Sequence, residues 1–260
     1  MLDDTYENIK VEFENKVCVV TLNRPEIRNA LGQEMREELR GFFTSIKDND
    51  EVKVIIITGE GKAFSAGGDL SALKTVDAVS GRRRLQAGHE MIHSILNLEK
   101  PVIAAVNGIA AGAGSSLALA CDLIVATHST SFIQSFIKVG LIPDLGSIYF
   151  LPRLIGRHRA LELMLAGGKI SADQAQKMGV INRIVPDDLL LEEAHSLAAT
   201  LAEGPAIAMG LTKRLTNKSI LAEISETLEL EGFAQGMCFE TEDFKEGVNA
   251  FFEKRKPQFI

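Results

Sequence analysis

Residues 52–59 read VKVIIITG and residues 61–70 read GKAFSAGGDL. The first is a short β-branched run closed by glycine, the pattern of a strand buried on both faces. The second follows directly, and its Ala-Gly-Gly run keeps side chains small. Backbone N–H groups can approach a ligand closely there, and glycines can turn those donors toward one point. Convergent donors of this kind suit a developing oxyanion. The same segment also fits an ordinary strand-to-helix turn with Asp69 as the helix N-cap.

Working outward, the alternation of short apolar strands and helices continues in both directions. Residues 10–22 alternate and then run apolar as VCVVTL before a turn-like NRPE, which predicts one strand leading into a loop. Met35, Leu39, Phe42, Phe43 and Ile46 have helical spacing, which predicts a helix over 33–46. A helix over 82–98, a strand in VIAAVNG, a helix in SSLALACD and a strand in DLIVAT follow. The result is an α/β domain with crossover connections. Beyond Ser171 the one further strand is in VINRIV, and the tail reads as helices over 192–203, 206–216 and 220–238. A last helix carrying Phe251 and Phe252 stops before Pro257. Helices without a sheet of their own need a partner surface, so the tail is expected to dock on the core, on a neighbouring subunit, or on both.

A second small-residue turn, NGIAAGAGSSLALACD at residues 107–122, again joins a strand to a helix start. A helix beginning near Gly112 presents unpaired N–H groups and its positive dipole end to negative charge. Close packing of helix on sheet explains the same small residues.

Composition narrows the possibilities. A chain of 260 residues with 46% hydrophobic content supports one main domain and a helical annex. A formal net charge of -7 argues against general nucleic-acid binding, which needs clustered Lys and Arg. Cys18, Cys121 and Cys238 lack the close pairing of zinc or redox motifs and read as buried thiols in a reducing compartment. The acidic start MLDDTYENIK has neither the basic residues nor the apolar stretch of a targeting segment. The apolar run at 117–126 is broken by Asp122 and is too short for a membrane span. A soluble cytoplasmic protein is the expectation.

In order and spacing, LNRPEIRNAL, AFSAGGDL, NGIAAGAGSSLALACDL, GLIPDLGS and LPRLIGRHRALELMLAGGKISADQAQKMGVINRIV resemble the crotonase (enoyl-CoA hydratase/isomerase) superfamily, and the likeness reaches the closing FFEKRKPQF. The resemblance implies an α/β fold built as a spiral of ββα units over residues 1–200, followed by a helical region over 201–260 used in oligomer formation and in closing the CoA pocket. It implies a homotrimer or a dimer of trimers. It implies an acyl-CoA thioester as substrate, with coenzyme A part of that substrate rather than a separate cofactor, and no metal. Mapped by the resemblance, the backbone N–H groups of Ala66 and Ala113 hold the thioester oxygen as it becomes an enolate oxygen. Arg24, Ile27, Arg28 and Lys254 fall at CoA contacts, and Ala63, Gly67, Gly68, Asp69, Leu70 and Phe136 line the substrate site.

The hydratases of this family use two glutamates to place and activate water, and this chain has Ser116 and Phe136 at the matching positions. Neither is a carboxylate base, so the resemblance favours members with an aspartate in a GLIPD segment, here Asp144. These are enoyl-CoA isomerases and the ring-epoxide isomerase of phenylacetate breakdown. Taken alone, Asp144 also fits a helix N-cap or Asx turn. An apolar wall of Phe136, Leu141, Ile142 and Leu145 is expected to raise its pKa, and the dipole of a following helix to lower it. Enoyl-CoA hydratase is the first alternative. A halobenzoyl-CoA dehalogenase is another, with His89 similar to its water-activating histidine, although that enzyme relies on a tryptophan and this chain has none. A non-catalytic RNA-binding homologue is disfavoured, because the helix at 32–48 is mixed and somewhat acidic.

Overall fold

A strand made of valine and isoleucine has no polar face to offer water, so it must be covered on both sides. The computed structural model describes residues 6–73, 77–219 and 224–260. Its chain opens with β1 (Ile9–Glu14), β2 (Val17–Leu22) and α1 (Gln33–Ser45), then runs through successive turns that share one plan. The first turn is β3 (Val54–Gly59), β4 (Ala63–Ser65) and α2 (Ala78–Leu96). The second is β5 (Val102–Val106), β6 (Ile109–Ala111) and α3 (Ala113–Ala120), and the third is β7 (Leu123–Thr127) and β8 (Ser131–Ile133) with α4 (Ser147–Ile155) and α5 (Arg157–Ala166). After β9 (Lys169–Ser171), α6 (Ala172–Lys177) and β10 (Arg183–Val185) the chain is helical, through α7 (Leu190–Ala202), α8 (Ala206–Ser219), α9 (Ile224–Phe239) and α10 (Glu242–Glu253).

The longer strands form one sheet in the order β1-β2-β3-β5-β7-β10, and the three-residue strands form another in the order β4-β6-β8-β9. Each turn of chain adds one strand to each sheet and then a helix, which is the spiral of ββα units. Alternation along β3 divides its side chains between two cores. Ile55 and Ile57 join Leu39, Phe42, Met91 and Leu117 from α1 to α3, while Val54 and Ile56 meet Leu190, Ala194 and Ala198 of α7. Each of these side chains other than the alanines contributes roughly 1.5–3 kcal/mol by leaving water.

The structure departs from the sequence reading in particular places. Residues 10–22 are two antiparallel strands, because Asn15 and Lys16 take φ values of 50° and 67° and reverse the chain as a tight hairpin. The helix expected from residue 82 begins at Ala78, where the Asp77 side chain accepts hydrogen bonds from the N–H groups of Val79 and Ser80. The whole second sheet is absent from the sequence reading, since three residues are too few to show a period. Residues 220–223 of the expected third tail helix lie outside the described residues. Cys18 and Cys121 are buried, with the Cys18 thiol pushed up to about 12 by burial, but Cys238 is only half-buried.

Helix α8 is fastened to the core by polar contacts as well as packing. Lys213 Nζ lies 2.7 Å from Asp122 and donates to the Lys100 carbonyl at 2.9 Å, and Asn217 Nδ2 donates to the Leu96 carbonyl at 3.1 Å. Helices α9 and α10 leave Leu228, Phe233, Phe251 and Phe252 exposed. No helix among the described residues is long and apolar enough to cross a membrane.

One buried side chain ties the loop after β2 to the turn after β3. Asn29, fully buried at φ 55°, donates from Nδ2 to the carbonyls of Glu60 and Ala63 and accepts the Arg24 N–H on Oδ1. Asn29→Ala leaves these groups unpaired, and we expect a loss of roughly 2–4 kcal/mol in urea unfolding. A loss within about 0.5 kcal/mol, the range of surface substitutions, would show that this clamp is dispensable.

Candidate active site

The ends of β4 and β6 release the two small-residue turns side by side. At Gly67, which has φ 100°, a Cβ would lie 2.6 Å from the Ala111 carbonyl oxygen and 3.4 Å from the Ala113 nitrogen. At Gly114 a Cβ would lie 2.6 Å from Ser65. Only glycine permits this approach. Ala66 does not offer the free donor that the resemblance assigns to it, because its N–H donates to the Arg28 carbonyl at 2.8 Å. Gly67 donates to Ser65 Oγ at 3.2 Å. Next on this turn, two residues beyond Ala66, the N–H of Gly68 makes no hydrogen bond among the described residues. Across from it, Ala113 is the first residue of α3, where no intrahelical acceptor exists for its N–H.

Asp144 is carried beside them by a loop held from two sides. Ser116 lies one turn along α3 from Ala113, fully buried, and its hydroxyl donates to the Asp144 carbonyl at 2.9 Å. A buried chain of hydrogen bonds runs from Gln134 Nε2 to Ser115 at 3.2 Å and from Ser147 Oγ to Gln134 Oε1 at 3.0 Å, joining α3 to the start of α4. Between them Leu145, fully buried, is held in the left-handed region at φ 48°, a strained conformation for a branched side chain. The cap of α4 is Gly146. Asp144 therefore caps nothing, and its Oδ1 is buried without a hydrogen-bond partner.

Loss of water raises the Asp144 pKa above its ordinary value, against the opposing pull of Arg36, His89 and Arg84. The cause is partly as expected: Phe136 and Leu145 are buried, but Leu141 and Ile142 are exposed and form no wall. Arg36 on α1 is 2% exposed, with Nε and Nη1 lacking partners. Arg36 and Arg84 are the functional candidates that the sequence reading missed. Arg36 occupies the apolar face with Met35, Leu39 and Phe42, a charge where the helical pattern calls for a hydrophobe.

The other expected positions are scattered around this centre. The Phe136 ring lies 3.8 Å from where a Gly112 Cβ would be, beside the start of α3. Asp69 accepts hydrogen bonds from Ser71, which chiefly hold its pKa below the usual range, and is paired with Arg24 at 3.6 Å. Ala63 is buried in β4 and Leu70 is exposed. Ile27 is half-buried, whereas Arg28 is exposed at φ 53° and makes no ion pair among the described residues. Lys254 ends α10 at φ 57°, and no contact among the described residues brings it to the 24–28 loop. His89 is exposed on α2. A cavity of about 1100 Å³ reaches His89 and Leu145 and extends beneath α8 to Lys213, but Gly68, Ala113 and Asp144 do not line it. It is a cleft between core and tail helix rather than the space in front of the two donors.

The chain that carries this constellation on a ββα spiral is similar over nearly its whole length to acyl-CoA enzymes. Residues 12–260 match the family described as Enoyl-CoA hydratase/isomerase. The chain is 39% identical over 258 residues to the 1,2-epoxyphenylacetyl-CoA isomerase of Escherichia coli, covering 97% of this chain and 98% of that one. It is 38% identical over 256 residues to the crotonyl-CoA hydratase of Syntrophomonas wolfei, covering 98% of each. The crystal structure of an enoyl-CoA hydratase subunit from Geobacillus kaustophilus superimposes with a TM-score of 0.94 at 37% identity over 98% of both chains. The protein belongs to the enoyl-CoA hydratase/isomerase family.

Ser116 acts here as a brace for the Asp144 loop. Ser116→Ala removes the hydroxyl that holds the Asp144 carbonyl, and we expect kcat to fall by roughly 10-fold through misplacement of the carboxylate. An unchanged kcat would show that Leu145 and the Gln134 network hold the loop by themselves.

Proposed function

We propose that this acyl-CoA enzyme moves a double bond within an enoyl thioester, using Asp144 as the single proton carrier. The observation that carries the reading is the buried, unpartnered Oδ1 of Asp144, whose loop is held by Ser116 one turn along α3 from Ala113; the resemblance adds that this chain has Ser116 and Phe136 where the family's hydratases carry glutamates. The Gly68 and Ala113 N–H groups receive the thioester oxygen. Ionised Asp144 removes a proton from the α-carbon of a β,γ-enoyl group, and the electron pair of that bond moves toward the thioester oxygen. Asp144 then returns the proton to the γ-carbon, leaving an α,β-double bond. Nothing is consumed. Each preorganised donor is worth about 3–4 kcal/mol toward the barrier.

Ring-epoxide isomerisation through the same enolate is the corresponding reading for an aromatic acyl group. Hydration is the second reading, supported by the names of most of the similar proteins, among them the Syntrophomonas wolfei hydratase. In that case Asp144 activates water in place of the missing glutamates. Exposed Arg28, and Lys254 at the end of α10, serve as phosphate contacts for CoA, and the exposed apolar residues of α9 and α10 serve assembly as a homotrimer or dimer of trimers.

Asp144→Asn is expected to lower kcat for isomerisation by about 10²- to 10⁴-fold while leaving acyl-CoA affinity within about tenfold. Wild-type turnover in this variant would remove Asp144 from the reaction. Hydration of crotonyl-CoA that disappears with the same substitution would move the enzyme to the hydratase reading with its base unchanged.

The pH dependence follows from the direction of the shift. Asp144 must be ionised to accept a proton, and burial raises its pKa, so kcat/KM should climb with pH through a midpoint above the free aspartate value of about 4. A profile flat from about pH 4 to 7 contradicts a desolvated base at this position.

A further inference from the structure

Arg36 is the charged member of an otherwise apolar helix face, and its guanidinium is enclosed by protein. Nη2 lies 3.9 Å from the Cβ position of Gly68, and Nη1 lies 3.3 Å from that of Gly88. A side chain at Gly88 would also meet Leu145 Cδ2 at 2.6 Å, so glycine on α2 leaves the room that the guanidinium and the Asp144 loop occupy. Arg84, one turn earlier on α2, has its Nη2 buried and unpartnered as well. Asp144 Oδ1 is likewise buried without a partner, and the structure shows no ion pair between it and Arg36. Asp69, which also feels Arg84, is paired with Arg24 at 3.6 Å.

The enclosed guanidinium of Arg36 and the half-buried Arg84, whose Nη2 is buried, thus stand with one carboxylate whose Oδ1 has no partner, an excess of one positive charge over negative in this cluster. Buried donors without acceptors are costly, and native proteins rarely keep them without a partner for them. Balancing Asp144 alone requires one cation at ion-pair distance, which is not the arrangement present. The enolate already has two backbone donors. The remaining requirement is for a stable monoanion with several acceptor positions, and planar guanidinium groups match a carboxylate better than any other common anion of that charge.

We propose that Arg36 and Arg84 form a subsite for a carboxylate on the acyl group, so that the substrate is the monothioester of an unsaturated dicarboxylic acid. The inference rests on the acyl-CoA reading of the same site and adds the chemical class of the acyl chain. A methyl-ended acyl group closing the same space displaces water from these donors and supplies no acceptor. Sites built to hydrogen-bond a substrate group discriminate strongly against the analogue that lacks it.

The test compares two unreactive thioesters of equal chain length, glutaryl-CoA and pentanoyl-CoA, by titration calorimetry on the wild-type protein. Glutaryl-CoA is expected to bind at least about 100-fold more tightly. Arg36→Met and Arg84→Met are expected to bring the ratio of the two affinities close to one, with folding checked by circular dichroism. Equal or tighter binding of pentanoyl-CoA to the wild type overturns the carboxylate subsite even if a variant fails to fold, and leaves the acyl-CoA reading standing. A ratio that survives in the folded variants overturns the role of these arginines. Failure of both thioesters to bind removes the acyl-CoA reading and the subsite together. Turnover of glutaconyl-CoA against 2-pentenoyl-CoA gives the same comparison on reactive substrates, with kcat/KM expected to favour the carboxylate-ended thioester.

Discussion

The close approach of two backbone turns at Gly67 and Gly114 is the constraint on which the rest of the site depends. Carbonyl and nitrogen atoms of one turn occupy the space where the other would carry a Cβ. That contact fixes the distance between the ends of β4 and β6, and through it the relation of the Gly68 N–H to the Ala113 N–H. Both donors remain free for a simple reason. One lies just past a turn whose earlier N–H groups are already bonded, and the other opens a helix. The small sheet adds little burial of its own, but it registers the ends of successive spiral turns against each other.

Around these donors the chain places charge in a dry setting and braces it from behind. Ser116, Ser115, Gln134 and Ser147 are all fully or almost fully buried, and their polar atoms are satisfied by one another or by main chain. The buried side-chain atoms left unsatisfied among the described residues are different in kind: they belong to Asp144, Arg36 and Arg84, all ionisable and in electrostatic contact with one another. A cluster that pairs its hydroxyls and amides while leaving these three charges open supports the proposed ligand site. The pKa directions agree with this. Burial raises Asp144 and lowers Arg36, both toward the neutral form, and the attraction between them opposes burial in each case.

Much of the fold was legible because its signals are local. The runs VIIITG, VIAAV and LIVAT carry enough β-branched and apolar residues to mark buried strands, and α1 has a helical stripe that defines its limits within one residue. The hairpin at Asn15 and Lys16 was hidden because it uses no glycine, so nothing interrupts the alternation on either side. The strands of the second sheet were hidden by their length. Resemblance across the whole chain supplied the family and pointed to Asp144, yet it named Ala66, whose N–H is bonded to Arg28.

The sequence by itself determined the order of the longer strands and the helices and the two glycine-rich turns, which are matters of residue type and spacing; that Ser116 and Phe136 stand at hydratase glutamate positions is what the resemblance implies. Tertiary structure alone decided which backbone N–H groups stay free, that Ser116 braces the Asp144 loop, and that Leu141 and Ile142 lie outside while Arg36 lies within. Hydrogen-bond commitment and desolvation depend on neighbours brought from distant parts of the chain. Helical spacing could show that Arg36 shares a face with Met35 and Leu39, but only the packing of α2 at Gly88 closes that face over a charge.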